Sequence, residues 1–427
     1  MVEQSQSHSG FRPARRPTWW STAEVAVVIA YLPILLILMQ SPGSGSSDDN
    51  FIPLLMVAGS LVILLWSWSA VPRAAMTIVM SRPLGWVLLY MAYLALVTTF
   101  SETFIIKTSL DKVRELSMLG VYLSPGIAIF VLIQRPQRMR PVLWGLRVLG
   151  WIVLGTFVYG LAFGIGSETA SVSRVFGVYG DSIAWAASFF LILSLAYGRW
   201  LEFGAFVLMI ALSGSMGAAI AAAASIIFHV LLLVARKRLN VLYILGAVLL
   251  VLVAIQFVDL SNVPVFQRLF SEDQKAFSLN ARFGSFSAAF DIFQDHPVFG
   301  VGFGGFFEAA LNYDVERYFE GGFSANYISN AQNQYLQTLT EGGVPALIIF
   351  ITVLCSAMVW LFRLERHEDP HAKPFMSAAF AWVASIAVTN QTAVWLMPHS
   401  VNTVIFAVII GIVSARRQLL ATRLFYR

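Results

Sequence analysis

Three runs decide the reading: N-A-R-F-G at 280–284, F-Q-D-H-P-V-F-G-V-G-F-G-G-F at 293–306, and S-N-A-Q-N-Q-Y-L-Q-T-L-T-E-G-G at 329–343. They lie in one polar stretch, Phe277 to Val344, the only long hydrophilic run in a chain that otherwise reads as membrane. The rest of the sequence reads as scaffold that holds this stretch at one membrane face.

Outward from the stretch, 58% of the 427 residues are hydrophobic and 12% are charged, and the mean hydropathy is +0.74. No soluble domain of this length has enough interior for that much apolar surface. The expectation is an all-α polytopic membrane protein with about 12 transmembrane helices and one long periplasmic loop containing short helices. The spans read as 22–40, 51–71, 84–104, 116–134, 142–165, 181–198, 200–213, 216–235, 239–259, 344–362, 375–395 and 399–415. The seventh is short, and Gly214 and Gly217 suit a tight hairpin after it.

Basic residues set the orientation. Arg12, Arg15, Arg16, Arg73, Arg82, Arg135, Arg138, Arg140, Arg199, Arg236, Lys237, Arg238, Arg363, Arg366, Lys373, Arg416 and Arg417 fall in alternate loops. That places both termini in the cytoplasm of a bacterial inner membrane and the 277–344 stretch in the periplasm. The whole of 1–427 is then one integral membrane domain. It has cytoplasmic tails at 1–21 and 416–427, and a periplasmic loop at 260–343 between the ninth and tenth spans.

The net charge of +5 does not point to nucleic acid, because the cations fall in short clusters between apolar runs. The one cysteine, Cys355, excludes an intramolecular disulfide and a cysteine-rich metal site. The spans are nearly free of mid-membrane charge, where an ion costs about 2.5–3.5 kcal/mol; His229 is the deepest candidate and reads as packed. No paired-carboxylate signature, Ser-His-Asp arrangement or metal-ligand spacing is recognisable, so no cofactor is expected.

Within the polar stretch, Asn280 suits the cap of a helix from about Ala281 to Asp295, ended by His296-Pro297. Arg282 would then stand in the first turn, beside free N–H groups and the positive end of the dipole, a site for phosphate or pyrophosphate. Phe283, Phe286, Phe290 and Phe293 recur at helical spacing and give an apolar face for the bundle or the lipid headgroups. The glycines from Gly300 to Gly305 superficially match a dinucleotide fingerprint, but no βαβ context surrounds them. They allow either close approach to a bulky ligand, with Gly302 in contact, or a sharp return toward the membrane. A second helix starts near Asn330 and stops at Gly342-Gly343, with Pro345 opening the next span. Gln332, Asn333, Tyr335 and Gln337 lie near its start, where N–H groups would again be free. Glu341 stands at its end, unfavourable for the dipole, so a partner such as Arg174 or Arg282 is expected. Basic residues that persist on the periplasmic side, Lys112, Arg114 and Arg174 among them, call for an anionic ligand; His296 is a further polar contact.

Taken together, R-F-G-S-F-S-A-A-F-D-I-F-Q-D-H-P-V-F-G-V-G-F-G-G-F and N-A-Q-N-Q-Y-L-Q-T-L-T-E-G-G-V-P resemble the large periplasmic loop of the O-antigen ligase and Wzy-type polysaccharide polymerase superfamily. R-V-F-G-V-Y-G-D (174–181) and S-G-S-M-G-A-A (213–219) are similar to its two weaker motifs. The resemblance covers roughly residues 80 to 415 and implies an enzyme acting on undecaprenyl-pyrophosphate-linked oligosaccharide. It further implies membrane lipids, a flippase and chain-length regulator proteins as partners. Two positions depart from the pattern. Gln332 stands where the ligases carry a histidine, and Met216 replaces an arginine. The ligase histidine is held to help activate the acceptor, so Gln332 favours a polymerase, of an exopolysaccharide such as a xanthan-type polymer, over a ligase. A transporter of lipid-linked sugars is the reading from another class; it would be expected to place polarity at mid-membrane rather than on one face. The site expected from the resemblance has Arg282, Arg174, Gln332 and Glu341 as catalytic residues. Asn333, Tyr335, His296, Gly302, Lys112 and Arg114 are its substrate-binding residues. For the acceptor's base, Glu341, His296, Glu168, Asp181 and His399 remain.

Overall fold

The computed structural model describes residues 82–101, 124–134, 138–163, 166–169, 172–175, 182–238, 272–313, 330–391 and 401–425. In chain order these give α1 (Arg82–Phe100), α2 (Ser124–Ile133), α3 (Met139–Phe163), strands β1 (Gly166–Thr169) and β2 (Val172–Val175), α4 (Ser182–Ala196), α5 (Trp200–Ser213) and α6 (Met216–Ala235). Then come α7 (Glu272–Asp295), α8 (Phe306–Leu311), α9 (Gln334–His367), α10 (Lys373–Thr389) and α11 (Val401–Phe425). Among the described residues, α1, α3, α6, α9 and α11 are long and apolar enough to cross a membrane, and α2, α4, α5 and α10 are shorter apolar helices. A multi-pass helical membrane architecture follows. The expected spans 22–40, 51–71 and 239–259 lie outside the described residues, as do the N-terminal tail, Lys112 and Arg114.

Two features depart from the sequence reading. Residues 166–169 and 172–175 pair as an antiparallel ribbon, with Ser167 opposite Arg174, in the loop between the fifth and sixth expected spans of a fold expected to be all-α. The polar stretch holds a 24-residue helix, α7, rather than only short ones.

The bundle is organised around α10, which packs on α4, α6 and α9. Lipid offers no hydrophobic drive between helices, so close packing and short polar bridges hold them. Trp382 is fully buried, edge-on to Phe189 at 5.2 Å, and donates from Nε1 to Ser188 Oγ at 3.1 Å. Ser225 Oγ donates to Ser385 Oγ at 2.8 Å. The expected packed histidine, His229, is buried with Nδ1 3.0 Å from Ser377 Oγ. Between α2 and α11 the backbones nearly touch: a Cβ on Gly411 would sit 2.2 Å from Gly126 O. The short α5 ends on Gly214 in the left-handed conformation, and Ser215 caps α6, so the tight hairpin falls where the glycines suggested.

The two ends of the bundle differ in chemistry. One end is held by ion pairs. Arg236 and Arg238 reach the fully buried Glu365 at 3.1 and 2.6 Å. Arg416 pairs with Glu368, and Arg147 with Glu202. The other end is held by backbone hydrogen bonds, and the polar stretch lies there.

Candidate functional site

Begin with the helical arm of α9 before its break. Gly343 has φ 69 and ψ −171, and it splits α9 into the arm Gln334–Gly342 and a long apolar span. A helix end leaves carbonyls without intrahelical donors. Here all three of the last ones are met from outside. Val301 N–H donates to Thr340 O at 2.8 Å, and Gly302 N–H to Glu341 O at 2.9 Å. Tyr93 Oη, from α1, donates to Gly342 O at 3.0 Å and to Val298 O at 3.2 Å. Val344 N–H then donates to Pro297 O at 3.0 Å. The glycine turn and the E-G-G-V-P break, 40 residues apart in sequence, are thus zipped together backbone to backbone.

Glycine is required for that approach. A Cβ on Gly300 would lie 2.5 Å from Thr340 O, and one on Gly343 would lie 2.1 Å from Val298 O. The close approach formed here is to the protein's own backbone, which is neither of the two uses expected from the sequence. Gly302, expected to touch substrate, has its N–H committed to Glu341 O.

The start of the arm is equally closed. Asn333 Oδ1 accepts from Tyr335 N–H and Leu336 N–H at 2.9 and 3.1 Å, and its Nδ2 donates to Gln391 O at 3.1 Å. Gln334 N–H donates to Asn390 O at 2.8 Å. The side chain of Gln337 joins both ends: Oε1 accepts from Ala331 N–H at 2.7 Å and Nε2 donates to Glu341 Oε1 at 2.5 Å. The expected free N–H groups are therefore spoken for, and Asn333 is a cap rather than an open ligand. Tyr335 also turns inward. Its Oη donates to Ala387 O, and its ring lies 5.9 Å from Phe350.

Gln332 is different. Its φ is 52, a left-handed conformation that non-glycine residues rarely hold and that concentrates at functional sites. Asn330 Oδ1 stabilises it by accepting its N–H at 2.8 Å. Gln332 is half-buried, on the turn that enters the arm.

Arg282 is not in a first turn. α7 begins at Glu272, ten residues earlier, so the dipole argument does not apply to it. The helix ends at Asp295, before His296-Pro297, as expected. What positions Arg282 is its stripe. Arg282, Ser285, Ala289 and Ile292 follow one another at three- and four-residue spacing on one face. Ala289 and Ile292 pack in a small core with Val301, Phe306, Ala309, Ala310 and Ala331. A rise of about 1.5 Å per residue puts Arg282 about 10 Å beyond Ala289 along the axis. Its guanidinium is half-buried, and burial pushes its pKa down from the ordinary value. Among the described residues it makes no hydrogen bond or ion pair, so it is not the partner of Glu341. Phe283 and Phe290, on the neighbouring face, are 63% and 50% exposed.

Glu341 is buried and held by Gln337. His296 is exposed at the turn after α7. Arg174 sits on β2, which packs on α3 and α5, whereas α7 packs on α8 and α9. Asp181 and His399 lie outside the described residues. Sequence reasoning missed Tyr93 and Thr98 of α1 and Ser101 just after it, which join the lock: Thr98 Oγ1 accepts from Phe303 N–H at 2.9 Å, and Ser101 Oγ donates to Val301 O at 2.5 Å. The only signal for them was polarity at the end of an apolar run.

The described residues thus offer a half-buried cation on α7, a left-handed glutamine at the entry to the arm of α9, and a turn locked to that arm backbone to backbone. No curated protein matches the chain. Residues 201–351, from α5 through the break in α9, match the family model described as O-antigen ligase, which is consistent with the resemblance to the O-antigen ligase and Wzy superfamily.

Proposed function

We propose that this chain polymerises undecaprenyl-pyrophosphate-linked oligosaccharide repeat units at the periplasmic face of the bacterial inner membrane. Arg282 carries the reading. It is a half-buried guanidinium with no counter-ion among the described residues, while Arg147, Arg236, Arg238 and Arg416 at the other end each have a carboxylate. A half-buried cation left open in this way suits an anion brought by a substrate, and arginine binds phosphate oxygens in a fixed two-pronged geometry.

In this mechanism the acceptor's hydroxyl oxygen attacks the anomeric carbon of the lipid-linked donor. The bond from that carbon to the pyrophosphate oxygen breaks, the electron pair leaves with the lipid pyrophosphate, and the hydroxyl proton is lost. One displacement inverts the anomeric centre. Pyrophosphate needs charge stabilisation more than protonation as it leaves, and fixed guanidinium groups supply it without a metal. Arg282 and Arg174 take that role, with Lys112 and Arg114 extending the cationic rim. The side chain of Gln332 orients the acceptor by hydrogen bonding. Glu341, buried beneath it, sets the arm through Gln337. His296, exposed at the end of α7, contacts the sugar. The domain layout and topology stated from the sequence, with both termini cytoplasmic and 260–343 periplasmic, belong to this reading, as do a flippase and a chain-length regulator as partners.

A ligase reading is favoured by the description of the matching family; Gln332 in place of the ligase histidine favours the polymerase. The test uses purified protein in lipid discs with the host's undecaprenyl-pyrophosphate repeat unit and no other acceptor. A ladder of lipid-linked multiples is expected. Transfer only after lipid A core is added would make the protein a ligase. No product from a competent donor under either condition would overturn both readings in favour of transport.

A further inference from the structure

At the ion-paired end, α3, α4 and α5 leave a small, partly enclosed cleft lined by Arg147, Trp151, Leu193, Arg199, Glu202 and Phe206. The cleft holds two guanidinium groups and one carboxylate. Arg147 Nε donates to Glu202 Oε1 at 2.8 Å, and Arg199 Nη1 stands 3.7 Å from Glu202 Oε2. Glu202 is almost fully covered, yet the side chains of Arg147 and Arg199 remain 38% and 37% exposed. The carboxylate is thus spent on inward pairing, and a net positive charge with unused N–H donors faces outward. α5 starts at this point with Arg199 as its N-cap and no side-chain cap hydrogen bond.

The surroundings say where this cleft lies. Trp144 and Trp151 share a helix face with Arg147, and both are exposed, as are Trp200 and Leu201 beside Arg199. Exposed tryptophans alongside arginines mark the headgroup level of a bilayer. Tyr197 Oη donates to His371 O at 2.8 Å, which ties this corner to the α9–α10 turn and so to the paired Glu368 and Arg416.

We infer that the Arg147–Arg199 cleft binds the phosphodiester of an anionic phospholipid, with an acyl chain lying on the exposed Trp151 and Leu201. The charge selects an anion, and the tryptophan rim and apolar floor select a lipid over a free ion. The site is distinct from the polar stretch and does not depend on the catalytic reading.

The experiment is native mass spectrometry of the full chain released from mixed phosphatidylglycerol and phosphatidylcholine, alongside thermal melting in each lipid. Wild type should retain phosphatidylglycerol in preference. Arg199→Gln leaves the Arg147–Glu202 pair intact and should weaken retention about fivefold, as one interfacial cation is worth. The double variant Arg147→Gln with Glu202→Gln removes the Arg147 N–H donors without stranding a charge or changing the net charge, and should weaken retention measurably but by less than Arg199→Gln. It serves as the reading if Arg199→Gln does not fold. Arg140→Gln, an exposed change two turns before Arg147 on α3 and outside the cleft lining, should change nothing. Equal retention of the two lipids by wild type would overturn the proposal. So would an equal loss in Arg140→Gln, or a melting shift with inorganic phosphate as large as that with phosphatidylglycerol.

Discussion

Replacing Gly343 by alanine tests whether the backbone lock shapes the site. Its φ of 69 with ψ near −171 lies in a region that is essentially glycine-only, so an alanine there costs about 1–3 kcal/mol in strain. The new Cβ would also sit 2.1 Å from Val298 O, and backbone cannot step aside as a side chain tip can. Moving the 297–299 turn away gives up Val344 N–H to Pro297 O and Tyr93 Oη to Val298 O. At about 1 kcal/mol each, these bring the sum to about 3–5 kcal/mol. At 1.4 kcal/mol per decade, the locked population relative to the open one falls by about two to three and a half orders of magnitude. Hydrogen exchange at the Val301, Gly302 and Val344 amides reads that ratio directly. Glycosyl transfer should fall with it, because Val301 and Ala331 pack in the core that seats α7. Gly155→Ala is the control: nothing lies within 4 Å of its Cβ, and it should be neutral or slightly stabilising. Wild-type exchange at all three amides in Gly343→Ala would refute the lock.

The remaining predictions concern single side chains. Arg282→Ala should abolish transfer with melting temperature unchanged, and Arg282→Lys should restore little, since an ammonium lacks the planar fork; near-normal turnover in the alanine variant would remove the pyrophosphate assignment. Asn333→Ala should lower stability by about 1–2 kcal/mol, seen as a drop in melting temperature, with activity recovering on cooling as a lost cap predicts; a KM effect alone would instead make Asn333 a substrate contact. Tyr93→Phe should cost about 1 kcal/mol and speed exchange around Val344. Glu365→Ala strands Arg236 in the interior and should cost about 3–5 kcal/mol, measured by thermal unfolding in lipid discs.

Hydropathy made most of the scaffold legible. The runs at 84–104, 142–165, 181–198, 200–213, 216–235, 344–362, 375–395 and 399–415 correspond to α1, α3, α4, α5, α6, the span of α9, α10 and α11. The break at Gly343 and the stop at His296-Pro297 were legible too, because glycine and proline act through local backbone sterics. The start of α7 was not. Asn280 satisfies the composition rule for a cap, but E-D-Q-K-A-F-S-L before it contains strong helix formers, and propensity carried the helix back to Glu272. The partners of Gly302, Asn333 and Tyr335 were out of reach for another reason. Glu341 lies at the bend of α9, Ala387 on α10 and Gln391 just after it, and pairing across such separations is a tertiary fact without a local signature.

The division between the two ends links these observations to the function. At one end, the buried carboxylates are neutralised inside the protein: Glu365, Glu368 and Glu202 each take up at least one arginine, and the buried pairs hold α6, α9 and α11 in place. At the other end, the backbone does the holding. The orphan carbonyls of Thr340, Glu341 and Gly342 are met by two N–H groups and a tyrosine, so rigidity there consumes no guanidinium. In the proposed function, that leaves Arg282 for the anion that arrives with the substrate. Had Arg282 been needed to close the lock, its removal would collapse the turn and activity together. Because the lock is complete without it, Arg282→Ala should leave exchange at Val301 and Gly302 at wild-type rates while transfer disappears. Faster exchange at those amides in Arg282→Ala would show that the guanidinium belongs to the scaffold and not to the chemistry.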